Sequence, residues 1–208
     1  MGTRTATTVP PPARALEAIV AENIKASLEV KQAMLRDADL LTKIAEAGQL
    51  LAEALGRGQR AFLAGNGGSA ADSQHIAAEL VGRYKLERKG LPVLALTVNT
   101  SCLTAIGNDY SYEAVFARQV EALASEGDVV IGISTSGHSK NIVSALRTAR
   151  QIGASTIAMS GRKGGRICQF ADVSLCVPSE DTPRIQEAHI VMGHILSEIV
   201  ETALFRNG

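Results

Sequence analysis

The chain has 208 residues, 46% of them hydrophobic and 20% charged, enough to bury one large α/β core. Lys plus Arg equals Asp plus Glu at 21 each, so the formal charge is zero and the basic excess of a nucleic-acid binder is missing. Three cysteines, Cys102, Cys168 and Cys176, are odd in number and sparse, which excludes a disulfide framework; they read as reduced thiols serving as small core residues in a cytoplasmic protein.

Residues 1–13, with three prolines in a row and little to bury, read as a disordered leader. They contain no apolar signal core, and no run in the chain approaches the ~18 continuous apolar residues that cross a bilayer, so no membrane association is expected. Leu16, Ile19, Val20, Ile24, Leu28 and Val30 recur near helical spacing and predict an amphipathic helix from Ala15 to about Met34. Asp37 or Asp39 is placed to cap a second helix running through Leu40, Leu41, Ile44, Leu50, Leu51 and Leu55 to Gly56. Residues 14–57 thus form a helical hairpin with apolar area to bury, against its own sheet or against partner subunits.

From residue 58 strands and helices alternate. Strands are predicted at Ala61–Ala64, Val93–Leu96, Val129–Ile133, Thr156–Met159 and Val173–Val177. Helices are predicted at Ala70–Tyr84, Cys102–Ile106, Tyr112–Ala124, Asn141–Ile152 and Ile185–Phe205. Single helices between strands imply right-handed crossovers and a mainly parallel sheet covered on both faces. Ligands of such sheets sit beyond the carboxyl ends of the strands, so the segment after each strand carries the chemistry.

After the third strand comes Ser134-Thr135-Ser136-Gly137-His138-Ser139, and a helix follows. Helix-start amides attract an anion, the hydroxyls add donors, and Gly137 permits close approach. The plain alternative is an ordinary turn with Ser139 as cap. Four hydroxyls in six residues favour a phosphate monoester, and the Gly-Lys-Ser/Thr of a nucleotide loop is missing. The first strand ends in Gly65-Asn66-Gly67-Gly68-Ser69, a second polar, glycine-rich turn into a helix. Asn108 and Asp109 suit sugar hydroxyls, or simply close a turn.

On the helix after the first loop, His75 and Glu79 stand at i, i+4 on one face, with Asp72 one turn earlier as a carboxylate able to orient the imidazole. The last helix opens at Thr182-Pro183, with Thr182 as cap, and carries Gln186 and His194. Glu187 and His189 are alternatives there, because helical phase does not align Gln186 with His194.

Four stretches, GNGGSAADSQHIAAEL, AIGNDY, GISTSGHSKNI and TPRIQEAHIVMGHI, in this order and spacing, resemble the phosphoheptose isomerases of the sugar-isomerase (SIS) domain family. The resemblance runs from about Leu16 to Leu204. It implies an SIS-type α/β fold, with a doubly wound, mainly parallel five-stranded sheet after the helical hairpin and residues 58–208 as the isomerase domain. It implies a cytoplasmic homotetramer with active sites at subunit contacts. The implied reaction converts sedoheptulose 7-phosphate to D-glycero-D-manno-heptose 7-phosphate through an enediol or enediolate, for lipopolysaccharide or other bacterial surface polysaccharide. The matching substrate positions are Asn66, Gly67, Gly68, Ser69, Glu79, Asn108, Asp109, Ser134, Thr135, Ser136, Ser139 and Gln186. One zinc ion per subunit is implied on His75, Glu79, Gln186 and His194, with Glu79 and His194 as the acid–base pair. A non-catalytic SIS tetramer that binds a replication-initiator protein is the rival reading. It lacks the full pair, so retention of both Glu79 and His194 favours the enzyme. An SIS protein acting on another phosphosugar, such as an N-acetylmuramic acid 6-phosphate etherase, is disfavoured by the His75, Glu79, Gln186 and His194 set.

Overall fold

The computed structural model describes residues 13–206, so the expected leader lies, Ala13 apart, outside the described residues. Helix α1 (Ala13–Arg36) and helix α2 (Ala38–Gly56) precede every strand. Between them Asp37 is extended, and its side chain accepts from the Leu40 N–H at 3.0 Å, the N-cap expected there. Helix α2 buries Leu40, Ile44, Leu51 and Leu55 against the sheet and the last helix. Helix α1 instead leaves Leu16, Ile19, Val20, Ile24 and Leu28 exposed.

Five strands follow: β1 (Ala61–Gly65), β2 (Val93–Ala95), β3 (Val129–Ile133), β4 (Ser155–Ser160) and β5 (Val173–Cys176). All pair in parallel, in the order β2-β1-β3-β4-β5. Alternation along each strand splits the core in two. Leu63, Ile131, Ile133, Ile157 and Met159 face α2 and the last helix, while Phe62, Ala64, Val130 and Ala158 face the opposite layer. The remaining helices are α3 (Gly68–Val81), α4 (Thr100–Asp109), α5 (Ala117–Leu123), α6 (Lys140–Ile152) and α7 (Thr182–Phe205). Short 3-10 turns stand at Tyr112–Ala114 and Arg166–Phe170.

Most element ends differ from the sequence reading by one to a few residues, and some of the differences have a physical cause. Helix α3 stops at Val81 rather than Tyr84, because its last carbonyls are taken over by a side chain described below. The helix expected over Tyr112–Ala124 is a 3-10 turn followed by α5. Asp181, not Thr182, occupies the N-cap of α7, and Thr182 is the first helical residue. Helix α7 has the length and composition of a bilayer span, yet it packs between α2 and α3 and buries His189 and Glu201. None of the three cysteines is fully buried, and of them Cys168 packs against the second core.

Candidate functional site

The strand order reverses direction between β1 and β3, and such a switch point opens a crevice beyond the strand ends. The register pairs Gly65 with Ile133, so the two loops that follow leave the sheet side by side. The Asn66 and Asn141 side-chain amides bond reciprocally across the crevice at 2.8 and 3.0 Å. The Tyr112 hydroxyl adds a donor to Asn66 Oδ1 at 3.2 Å, drawing the segment after α4 to the same crevice. Asn141 and Tyr112 escaped the sequence reading. Asn141 looks like any first-turn helix residue, and only the register brings it to Asn66.

In the loop after β3 the hydroxyls face one another. Ser134 Oγ lies 2.9 Å from Ser139 Oγ and 3.5 Å from Ser136 Oγ, and Ser136 Oγ accepts from the His138 N–H at 3.2 Å. Ser139 stands at the N-cap of α6 but makes no side-chain cap bond. Its hydroxyl is therefore aimed at the loop interior, against the plain-cap alternative. Gly137 has φ +69, and a Cβ there would sit 1.8 Å from the Gly164 carbonyl, so only glycine fits. Thr135 is half-buried in the same loop.

Gly67 and Gly68 turn the chain from β1 into α3. A Cβ on Gly68 would meet Gln186 Nε2 at 2.3 Å, so this glycine lets the start of α7 close onto the start of α3. Ser69 is buried at the head of α3, its carbonyl accepting from the Ser73 hydroxyl at 2.8 Å. Asn108 and Asp109 end α4 exposed, bonded to each other at 2.8 Å. Neither joins the crevice through a hydrogen bond among the described residues.

Further along the seam of α3 and α7, His75, Glu79 and His194 converge, with one ligand-type atom from each lying within 4.8 Å of the others. His75 Nε2 is 3.1 Å from His194 Nε2 and 3.2 Å from Glu79 Oε1. Ligand atoms around a tetrahedral zinc, at bonds of ~2.0–2.2 Å, stand roughly 3.3 Å apart. The donor set and its spacing therefore fit zinc. Gln186 sits two turns before His194, its side-chain amide against Gly68. Of the alternatives on α7, His189 is fully buried, with Nε2 at 3.2 Å from the Ser160 carbonyl and Nδ1 without a partner. Burial pushes its pKa down to about 4, against a weaker raising effect of the Ser160 bond, so it is a neutral structural imidazole. Glu187 pairs with Arg184 at 2.8 Å.

Burial raises the Asp72 carboxyl to about 6, with His75 pulling the other way. Asp72 makes no hydrogen bond to His75 among the described residues, and its Oδ2 is buried without a partner.

The Tyr84 ring stacks on His194 at 5.6 Å and 22°. A buried clamp fixes it there. Glu201 accepts from the N–H groups of Tyr84, Lys85 and Leu86 and from Arg88 Nε, at 2.8 to 3.0 Å. Burial would raise the Glu201 pKa, but these donors together overcome it and hold the carboxyl low. Arg88 in turn donates to the carbonyls of Glu79 and Leu80, ending α3 just past Glu79. Sequence offered little sign of this clamp, since Arg88 and Glu201 stand 113 residues apart.

A family model for the SIS domain matches residues 24–161. The chain is 55% identical over 190 residues to a phosphoheptose isomerase of Sulfurimonas denitrificans, covering 91% of this chain and 97% of that one. Among solved structures, the phosphoheptose isomerase from Neisseria gonorrhoeae superposes with TM-score 0.85 at 40% identity, covering 90% of this chain and 99% of that one. A phosphoheptose isomerase from Francisella tularensis gives TM-score 0.86 at 34% identity, over 90% and 98%.

Proposed function

The chain belongs to the SIS-domain phosphoheptose isomerases, and from that membership we infer that it is an isomerase converting sedoheptulose 7-phosphate to D-glycero-D-manno-heptose 7-phosphate. The product class suits a precursor of lipopolysaccharide or another bacterial surface polysaccharide, in the cytoplasm. The observation that carries the mechanism is the meeting of His75, Glu79 and His194 on the seam of α3 and α7, α3 being the helix that the glycine turn at Gly67 and Gly68 opens. Gly68 and His75 are seven residues apart on α3, or roughly 10 Å along its axis. A zigzag of seven carbons and a phosphoester, with bonds of ~1.5 Å, is about that long. Because the hydroxyl loop leaves the sheet beside the turn at Gly68, a phosphate held there would leave C1 and C2 of an open-chain heptose within reach of the cluster.

In this reading Ser134, Thr135, Ser136 and Ser139 hold the phosphate, assisted by the amides at the start of α6. Asn66, Gly67, Gly68, Ser69 and Gln186 line the sugar's path, with Asn108 and Asp109 on its open side. Glu79 removes the C1 proton of the ketose, and His194 serves the opposite protonation step as the C2 carbonyl becomes a hydroxyl. His75, Glu79 and His194 would hold a zinc ion, with Gln186 as the fourth donor if its side chain turns along the seam. Bound there, the ion supplies positive charge beside the oxygens of the enediolate. Tyr84, packed on His194, keeps that imidazole from swinging away. Asp72 sits near enough to bias the His75 ring electrostatically.

The apolar row of α1, from Leu16 to Leu28, supports assembly into a homotetramer, with neighbouring copies closing over the sites. The test is turnover of sedoheptulose 7-phosphate by the purified chain, before and after chelation and after zinc is returned. Isomerisation should vanish on chelation and recover with zinc. Thermal unfolding should shift only modestly, because the two cores exist without the ion. No turnover in zinc-loaded protein would overturn the reading, and full turnover without metal would remove zinc from it.

A further inference from the structure

We propose that Cys168 and Cys176 are a peroxide-reactive thiol pair whose oxidation to a disulfide distorts the hydroxyl loop at Gly137. Cys168 lies in the 3-10 turn Arg166–Phe170, and Cys176 is the last residue of β5. Leu175 faces the α2/α7 core, so Cys176 points to the opposite layer, where Cys168 also packs. Their sulfurs are 3.9 Å apart, and both residues are half-buried, within reach of a small oxidant. The two thiols are unequal. The hydrogen bond between the two sulfurs lowers the Cys168 pKa, against the opposing effect of burial, with smaller help from Ser174 and Lys43. The same bond and burial raise Cys176, which keeps its proton. A thiolate beside a thiol is the pairing that hydroperoxides oxidise to a disulfide.

The chemistry balances with the hydroperoxide as the only oxidant. The Cys168 thiolate attacks the peroxide; the O–O bond breaks, an alcohol or water leaves with a proton from solvent, and Cys168 becomes a sulfenic acid. The Cys176 sulfur then displaces hydroxide from that sulfur, its own proton leaving with the hydroxide as water. Two thiols lose two electrons, and the peroxide gains them.

The link to the loop is steric. Gly164 lies against both sulfurs: a Cβ built on it would be 3.2 Å from Cys168 Sγ and 3.5 Å from Cys176 Sγ. The Gly164 carbonyl accepts from the Ser160 hydroxyl at 2.6 Å and abuts Gly137 on its other side. The Ile167 N–H donates to the Gly137 carbonyl at 3.0 Å. Bond formation draws the sulfurs to about 2.05 Å. Any movement of the turn that carries Cys168 reaches Gly164, whose carbonyl packs against Gly137. That the loop holds phosphate rests on the functional reading above.

The experiment treats reduced full-length protein with equimolar hydrogen peroxide, then alkylates, digests and maps the peptides. Cys168 and Cys176 should appear joined and Cys102 alkylated, with dithiothreitol restoring all three thiols. Oxidation that spares the pair, or that falls first on Cys102, overturns the proposal. KM for sedoheptulose 7-phosphate should rise roughly two- to ten-fold on oxidation, as for the loss of one neutral hydrogen bond, with kcat retained. The rise should be absent in Cys168→Ser and in Cys176→Ser. A disulfide with unchanged KM overturns the link to the loop. Protein inactive in both redox states would refute the isomerase reading, while the peptide map still decides the thiol pair.

Discussion

The imidazoles of α7 illustrate how environment divides labour among like residues. His194 emerges half-exposed beside His75 and Glu79, where an ion or a substrate proton can reach it, whereas His189 is sealed in the core. Replacing Glu79 or His194 by Gln keeps size and hydrogen bonding but removes proton transfer. Each change should lower kcat by ~10²–10⁴-fold while the far-ultraviolet circular dichroism stays unchanged. Near-native turnover in either variant removes that residue from the mechanism. His189 makes a separate prediction about acid. Its folded pKa of about 4 lies below the ordinary histidine value of 6.5, so the unfolded chain takes up a proton first as pH falls. Stability should therefore drop between pH 6.5 and 4, by on the order of 3 kcal/mol from this residue. Asp72, raised to about 6, works in the opposite sense over much of that range, being protonated more readily when folded. The contribution of His189 is thus read as the difference between wild type and His189→Gln in urea unfolding at pH 7 and pH 4.5. Parallel losses in the two proteins would show that His189 is not buried neutral.

At the scale of elements, α3 and α7 form the working unit, and small residues set how closely they pack. Gly68 admits Gln186, and a Cβ on Gly193 would clash with Ile76 at 2.5 Å. The clamp of Arg88 and Glu201 ties their far ends together, with side chains only 1% and 2% exposed. Such a buried ion pair is a demanding arrangement, and breaking one partner leaves the other charged and unpaired. Glu201→Ala should destabilise the fold by about 3–5 kcal/mol, seen as a lower urea midpoint at nearly constant slope. It should also loosen the stack of Tyr84 on His194. A loss well under ~1 kcal/mol would mean that water reaches Arg88 as readily as Glu201 does.

At the scale of the whole molecule, the first helix presents an unfinished surface among the described residues. Helix α2 is absorbed into the core, but α1 carries its apolar row outward, with Ile24 59% and Leu28 55% exposed. Burying each such side chain is worth ~1.5–3 kcal/mol, which is ample motive for copies to associate. The double variant Ile24→Glu and Leu28→Glu should lower the mass measured by light scattering below that of the unsubstituted chain. An unchanged assembly would place its contacts elsewhere than on α1.

Local pattern was enough to determine the alternation of strands and helices, an aspartate cap at Asp37 or Asp39, and the loops that bear the hydroxyls and glycines. Each depends on residues close in sequence: period, turn chemistry, and the free amides of a helix start. The order of strands, the reciprocal bond of Asn66 with Asn141, and the Arg88–Glu201 clamp that shortens α3 were decided only by the tertiary structure. So was the pairing of Cys168 with Cys176. Helical phase alone could not choose among Gln186, Glu187, His189 and His194, because phase says which residues share a face but not what that face meets. The packing of α3 on α7 made the choice, burying His189 and bringing His194 to His75 and Glu79.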